Sequence, residues 1–413
     1  MPGGIGGPTA HGAERFADAF GRKLGGGALG SVPVVLGLLV IWLTFQILNP
    51  HFLSPRNLSN LSVDIVGTGM IAVGVIFVLL IGEIDLSVGS VSGLASALFA
   101  VLSVNYGMPE PPAIVLAALC GTAVGFVHGF FTAVVGVPAF VVTLAGLLGW
   151  YGLMLAIMGA YGTINLDDQG LVAQLTNFYF SNVAAAYALA ALGTAAYFLT
   201  AWRDVTRRRA AGVPFRSPAE IFLRTGLLAV IAFAAAYVLN QFQGLPLALL
   251  IFLVVLVILD YVLRRTAYGR MIFALGGGVE AARRAGVNVA WVRISAFMMS
   301  STMAAIGGLF LASRINSVSQ TSVSTDLLMN AIAAAVIGGT SLFGGRGSTW
   351  SALLGVLVIQ SIASGVALMD IQTAVQFMIT GGVLLLAVVV DTLSRRAQWG
   401  TRPGLVFRRD HSH

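Results

Sequence analysis

The sequence predicts an all-α, polytopic membrane protein with about ten to twelve transmembrane helices and both termini on the cytoplasmic side. Three observations carry that expectation. Of 413 residues, 57% are hydrophobic and 9% charged, against about 25% charged in a soluble domain. The apolar residues gather into runs close to the ~20 residues that a bilayer-crossing helix needs. Basic residues fall almost entirely into alternate loops, the pattern set by the cytoplasmic excess of Lys and Arg in membrane proteins.

Residues 1–30 form a cytoplasmic N-terminal tail with no apolar h-region ahead of a small-residue cleavage site. Within it Phe16, Phe20 and Leu24 recur every four residues beside Arg15, Arg22 and Lys23. That spacing suits an amphipathic segment lying on the membrane surface; a Gly-rich tail without fixed structure is the other reading for the first dozen residues. A single transmembrane domain, 31–391, follows. Its candidate spans are 31–48, 65–82, 88–105, 113–135, 139–158, 183–201, 222–240, 245–263, 294–312, 327–341, 350–368 and 373–391. The tenth is short and ends in Gly338-Gly339, which suits a half-helix or a re-entrant segment. The pair 183–201 and 222–240 is Ala-rich, flanks a basic loop at 202–221, and has the makings of a separable hairpin. Residues 392–413 are a cytoplasmic C-terminal tail.

If all twelve segments cross, the arginine and lysine count decides orientation. Twenty-one fall on the side of the two tails and the connections after the sixth, eighth and tenth spans, Arg224 and Arg346 included; Arg56 and Arg314 fall on the other. The net charge of +7 is therefore a signature of topology and lipid contact, not of nucleic-acid binding. The external connections, such as Tyr106–Pro112 with its three prolines and Thr163–Gln169, read as short and polar. Capture of a solute outside the cell would then fall to another protein.

Several chemistries lack their residues. The single cysteine, Cys120, excludes an intramolecular disulfide, and no Cys/His spacing suits a metal. No cluster of catalytic groups converges in the loops, so neither catalytic nor cofactor-binding residues are assigned. A phosphate-binding loop ending in G-K-[ST] needs a lysine; the one lysine, Lys23, lies in Gly21-Arg22-Lys23-Leu24. Uphill transport would therefore need an outside motor or an ion gradient. Ion-coupled carriers bury ionisable residues within their spans, and His128 is the clear case here. It reads either as a coupling group or as a histidine bonded to a neighbouring carbonyl or hydroxyl.

Three Gly-rich segments interrupt the apolar pattern: Gly82-Glu83-Ile84-Asp85-Leu86-Ser87-Val88-Gly89-Ser90, Gly136-Val137-Pro138-Ala139-Phe140, and the run from Gly338-Gly339-Thr340-Ser341 to Gly347-Ser348. Irregular backbone at membrane depth survives only where protein or water covers it, and broken segments in matching halves point to a translocation path. Glu83, Asp85, Ser87, Ser90, Pro138, Thr340 and Ser341 are the candidates; an ordinary tight turn is the competing reading of each segment. A weak echo pairs the first and third segments. Ile71-Ala72-Val73-Gly74 precedes one and Ile332-Ala333-Ala334-Ala335 the other. In the loop 264–293, Glu280-Ala281-Ala282-Arg283-Arg284-Ala285 is built from helix formers, and Gly286 is a natural stop. A short helix between two spans makes a compact docking knob; a positive-inside anchor without a partner is the other reading.

These residues carry a family likeness. Glu280-Ala281-Ala282-x-x-x-Gly286 resembles the coupling loop of permease subunits in bacterial ABC importers, although the usual downstream I-x-L-P is absent and Ile294 lies near its place without the Leu-Pro. Ile84-Asp85-Leu86-Ser87-Val88-Gly89-Ser90, Gly136-Val137-Pro138-Ala139-Phe140 and Gly338-Gly339-Thr340-Ser341-Leu342-Phe343-Gly344-Gly345 resemble segments of the ribose/xylose/galactose permease family. The extra region around 183–240, and Glu83 before Ile84, are most similar to xylose-type members. The resemblance implies a non-enzymatic transport subunit in the bacterial inner membrane, with no cofactor of its own. It implies a separate ATP-binding subunit with two nucleotide sites, a periplasmic or secreted sugar-binding protein, and a second permease copy. Glu280, Ala281, Ala282, Arg283, Arg284 and Gly286 would dock on the ATP-binding subunit. An ion-coupled sugar carrier and an integral membrane enzyme are the competing functions.

Overall fold

The computed structural model describes residues 32–321 and 325–400, and its architecture is helical throughout apart from two short antiparallel strand pairs. The amphipathic reading of Phe16–Leu24 lies outside the described residues. All twelve predicted spans appear as helices. Among the described residues nine are long and apolar enough to cross a bilayer, and three are shorter apolar helices.

Helix α1 (Val32–Leu48) leads to α2 (Pro55–Leu80), which starts ten residues earlier than expected. Ser54 caps it by accepting from the Asn57 amide at 3.3 Å, and Pro55 opens the first turn, where the missing N–H costs nothing. Its polar first turns looked like loop but are satisfied by neighbours: Asn57 accepts from Ser364 Oγ at 2.9 Å, and Asp64 pairs with Arg314 at 2.6 Å. From Ile65 onward every residue of α2 is buried, so this helix is the axis of the bundle.

Next come α3 (Val88–Ala100), ending in a π turn over Val101–Asn105, and α4 (Glu110–Phe130), ending in a second π turn over Phe131–Val135. Helix α5 (Ala139–Met158) completes the first half. The sequence suggested a short polar connection after it. Instead, β1 (Thr163–Asn165), α6 (Leu171–Asn177) and β2 (Tyr179–Phe180) form a structured outer cap. The Glu110 carboxylate accepts from the Val172 amide at 2.9 Å and so ties α6 to the start of α4.

Helices α7 (Val183–Ala210) and α8 (Pro218–Asn240) pack chiefly on each other and expose most of their surface. The predicted hairpin is present, and its helices extend into the basic loop, where Asp204–Arg208 and Glu220–Arg224 pair along the helix surface at 3.0 and 2.7 Å. Strand β3 (Leu245–Pro246) pairs with β2 in the register Phe180↔Leu245, closing the hairpin at its base.

Helix α9 (Leu247–Arg265) is followed by α10 (Ala267–Gly277), α11 (Val279–Arg284) and α12 (Val289–Ile315). Strand β4 (Ser317–Ser319) pairs with β1. Helix α13 (Thr325–Ile337) has 13 residues, about 20 Å of helix against a hydrocarbon core of about 30 Å, which fits the expected half-helix. Helices α14 (Trp350–Leu368) and α15 (Thr373–Gly400) end the described chain.

Helix α12 runs beside α2 and α4, and glycine sets the spacing. Gly121, Gly125 and Gly129 of α4 lie on one stripe, and a Cβ at any of them would strike α12 between Ile294 and Ala305. Small residues every fourth position let membrane helices approach to backbone contact. Gly74 and Gly307 do the same between α2 and α12. The strand pairs mark one end of the bundle. The opposite end collects α10, α11 and the loops after α2 and α13, together with Arg264, Arg265, Arg270, Arg283 and Arg284. Positive-inside placement makes that end cytoplasmic.

Candidate functional site

Three of the helices that end on the cytoplasmic side near the Gly-rich loops share one local device. Helix α2 ends with Gly82 at φ +82°, its amide donating to Leu79 O and the Glu83 amide to Val78 O. Helix α13 ends the same way: Gly339 at φ +104° donates to Val336 O and Thr340 to Ala335 O. Helix α11 ends with Gly286 at φ +81°, donating to Arg283 O, and Val287 donates to Ala282 O. Each is a paired 6→1 and 5→2 cap, which requires a left-handed residue best supplied by glycine. The weak echo between the first and third Gly-rich segments thus corresponds to two helices ended by the same cap and followed by buried polar residues.

Those two capped loops touch. The Gly345 amide donates to Leu80 O at 2.9 Å, and Gly82 lies against Phe343 and Gly344. Gly276, near the end of α10, fits into the same junction so closely that a Cβ would overlap Leu80 O and the Gly345 amide. The loop leading to α11 is therefore in backbone contact with both Gly-rich segments.

Beyond the first cap lies a buried polar chain. Asp85 is 1% exposed. Its carboxylate accepts from the Ser87 amide at 2.9 Å, from Ser87 Oγ at 2.6 Å and from Ser300 Oγ of α12 at 3.0 Å. Ser87 Oγ lies 3.3 Å from Nδ1 of His128, and Trp150 Nε1 donates to His128 Nε2 at 2.8 Å. Nε2 is thus the acceptor and the ring proton sits on Nδ1, so donation runs from Trp150 through His128 and Ser87 to Asp85. His128 takes the bonded role among the two open to it, with a hydroxyl and an indole as partners. Ser90 Oγ donates to Leu147 O at 2.7 Å, fastening α3 to α5.

The remaining candidates divide. Thr340 and Ser341 are buried, and Ser341 Oγ accepts from the Phe343 amide at 3.1 Å. Pro138 is exposed, caps α5 and stays outside this cluster, although the next residue, Ala139, packs on Val78 and Phe297. Glu83 pairs with Arg293 of α12 at 3.1 Å, each side chain about a fifth exposed. Burial pushes the Glu83 carboxyl above the usual carboxylate range, and Arg293 offsets part of that rise. Sequence reasoning passed over Arg293, Ser300 and Trp150. Their only signal was a polar residue on the inner face of a span, which nothing in the one-dimensional pattern distinguishes from a lipid-edge or topological residue.

On α11, Glu280, Ala281, Arg283, Arg284 and Gly286 are exposed, and Arg283 pairs with Glu280 at 2.9 Å. Ala282 points the other way. At 2% exposure it anchors α11 to the bundle rather than sharing an outward face with Ala281. Toward the outer side, Ser92, Ser96, Gly308, Arg314 and Leu327 help line a cavity of about 230 Å³ between α3, α12 and α13. Among the described residues no group of His, Cys, Asp and Glu is placed to hold a metal ion.

Comparison with known proteins agrees with this architecture. Residues 57–388 match the family model described as "Branched-chain amino acid transport system / permease component". The chain is 36% identical to the xylose transport system permease protein of Escherichia coli (strain K12), over 88% of this chain and 90% of that one. It is 34% identical to the protein of the same name from Haemophilus influenzae, over 88% and 96%. To the ribose import permease protein of Bacillus subtilis (strain 168) the identity is 29%, over 88% and 94%. No solved structure matches the chain. With a family match over most of its length and apolar helices throughout, the chain is a multi-pass protein of the bacterial inner membrane and belongs to the ABC importer permeases, among the sugar permeases of the ribose/xylose type.

Proposed function

We propose that this chain is the membrane-spanning subunit through which a pentose, xylose in the first instance, enters the cell at the expense of ATP hydrolysed by a separate subunit. The observation that carries the reading is the helix α11: exposed on the arginine-rich side, bounded by glycine, and joined by a short turn to the core helix α12. Xylose is favoured because the relatives named as xylose permeases share more identity with this chain, across nearly their whole length, than the ribose permease does.

Two copies of the chain would assemble with an ATP-binding subunit carrying two nucleotide sites. Glu280, Ala281, Arg283, Arg284 and Gly286 would contact that subunit, with Ala282 holding α11 to the bundle. A soluble sugar-binding protein would deliver cargo at the opposite end. Glu83, Asp85, Ser87, Ser90, Thr340 and Ser341 would serve as the inner gate of the path: the polar groups of Glu83, Asp85, Ser87, Ser90 and Ser341 engage protein here and become available to hydroxyls when the loops part, while Thr340 Oγ1 is buried without a hydrogen-bond partner. Pro138 would set the entry of α5 into that gate. The chain itself performs no covalent chemistry.

The test is uptake by proteoliposomes holding the chain with its ATP-binding and sugar-binding partners. ATP-dependent accumulation of xylose in preference to ribose is expected. An ion gradient applied to the chain alone should drive none; accumulation under that condition would establish the ion-coupled carrier instead. Gly286→Asp and Glu280→Arg should abolish sugar-stimulated ATP hydrolysis, and retention in both removes α11 as the docking element. Asp85→Asn or Ser87→Ala should impair uptake while the complex still assembles; normal uptake returns the segment to a plain turn.

A further inference from the structure

We infer that Arg293 is the positioning residue that carries movement of α11 into the loop between α2 and α3, and that it acts through Glu83. This rests on the importer reading above. Nothing in the sequence motifs marks Arg293; its place in the fold does.

Helices α11 and α12 form one mechanical piece. The cap after α11 folds Val287 back onto Ala282 at 3.1 Å, and Ala282 is buried. Asn288 caps α12 by accepting from the Trp291 amide at 3.0 Å, and the Trp291 ring meets Tyr268 of α10 edge-on at 5.3 Å. Arg293 follows in the second turn of α12, so it must travel with α11.

From there α12 holds the loop after α2 at two points. Arg293 Nη2 meets Glu83 Oε1 at 3.1 Å, and Ser300, two turns further along the same face, donates to Asp85 at 3.0 Å. Seven helical residues place these grips about 10 Å apart along the axis. On its other side the loop is fastened to α4 and α5 through Ser87, His128, Trp150 and Ser90. Displacing α12 against α4 and α5 therefore loads this loop directly.

The Arg293 contact is also incomplete. One Nη engages Glu83, while Nε is buried without a hydrogen-bond partner. A guanidinium can form two parallel bonds with one carboxylate, so a small shift of α12 would turn a single contact into a bidentate one. Such a pair can exist in two discrete arrangements, which is what a transmitting element needs. A basic residue retained only for topology would sit in headgroups and need no carboxylate partner.

The experiment uses the full transporter in proteoliposomes, with R293Q, R293K, E83Q and the exchanged pair E83R/R293E. R293Q should bind the ATP-binding subunit and keep its basal hydrolysis, yet lose at least about tenfold in sugar transported per ATP; E83Q, which alters the gate itself, should lose at least as much. The exchanged pair should recover at least half of the wild-type ratio. R293K, which keeps the charge but not the planar fork, should fall between, and it carries the test if R293Q fails to assemble. A wild-type ratio in R293Q or R293K overturns the inference. Impaired single variants without recovery in the exchanged pair overturn the route through Glu83. Wild-type uptake in the same vesicles separates these results from failure of the importer reading, which would show as no ATP-driven uptake in any sample.

Discussion

The indole N–H of Trp150 points at Nε2 of His128 from 2.8 Å, and this one bond sets the direction of the whole buried chain that ends on Asp85. Trp150 is on α5, His128 on α4 and Ser87 at the start of α3, so three helices are joined by hydrogen bonds inside the bundle. The carboxylate at the end has its lone pairs engaged by Ser87 and Ser300 rather than by a cation.

Removing the ring should therefore be costly in a specific way. His128→Ala leaves the Trp150 N–H without an acceptor and takes from Ser87 Oγ one of its two partners, Asp85 remaining, and a buried unmet donor costs about 1–3 kcal/mol. His128→Asn can still donate from the position of Nδ1 and should lose less. Trp150→Phe leaves no unmet donor but takes from His128 Nε2 its one donor, and should cost about 1 kcal/mol. Unfolding in detergent, followed by fluorescence or circular dichroism, ranks the three.

The glycine junction supplies a paired comparison. A Cβ at Gly276 would overlap backbone atoms of Leu80 and Gly345, whereas one at Gly277 would meet nothing within 4 Å. Backbone on both sides cannot yield as a side chain would, so Gly276→Ala should destabilise by about 2 kcal/mol or more, as overpacking does. Gly277→Ala should stay within about 0.5 kcal/mol of the parent. Thermal midpoints and yield of purified chain check both, and equal behaviour of the two variants would remove the junction from the coupling route.

Acid should uncouple this protein before it unfolds it. The Glu83 carboxyl is raised by burial, with Arg293 opposing. A folded-state value above the unfolded one means that protonation favours the folded form: this group's contribution is gained as pH falls through the folded value and lost as pH rises through it. Yet the protonated acid no longer pairs with Arg293. Uptake should fall on acidification at a midpoint above the ordinary carboxylate range, while thermal stability does not fall with it. In Glu83→Gln, uptake is low at every pH and this step is gone; a step that persists belongs to another group.

The α7–α8 hairpin should be dispensable for folding. Its ends are brought together by the Phe180↔Leu245 register of β2 and β3, and its helices expose most of their surface. Replacing residues 182–243 by an Asn-Gly turn uses the connection that antiparallel strands favour. The shortened chain should insert and unfold cooperatively, with its midpoint within about 5 °C of the parent. Loss of insertion would show that the hairpin is integral to the bundle.

Composition and the distribution of arginine were enough to specify the fold class, the number of apolar segments and their orientation, because a bilayer demands long apolar runs and a basic inner face whatever the packing. The glycines at 82, 286 and 339 were legible as stops for a related reason: a left-handed cap is a local requirement of backbone sterics. Asp85 and Ser87 stood out because charged and polar residues are costly between apolar spans. Which partners met that cost was decided only by tertiary structure. Ser300 lies 215 residues from Asp85, and Arg293 closes on Glu83 across a comparable stretch. Helix crossings set by the glycine stripe of α4, not any local pattern, bring them together. The polar first turns of α2 and the inward turn of Ala282 follow the same rule. A hydrogen-bonding group or small side chain takes its meaning from the neighbour across the interface, and that neighbour exists only once the helices have packed.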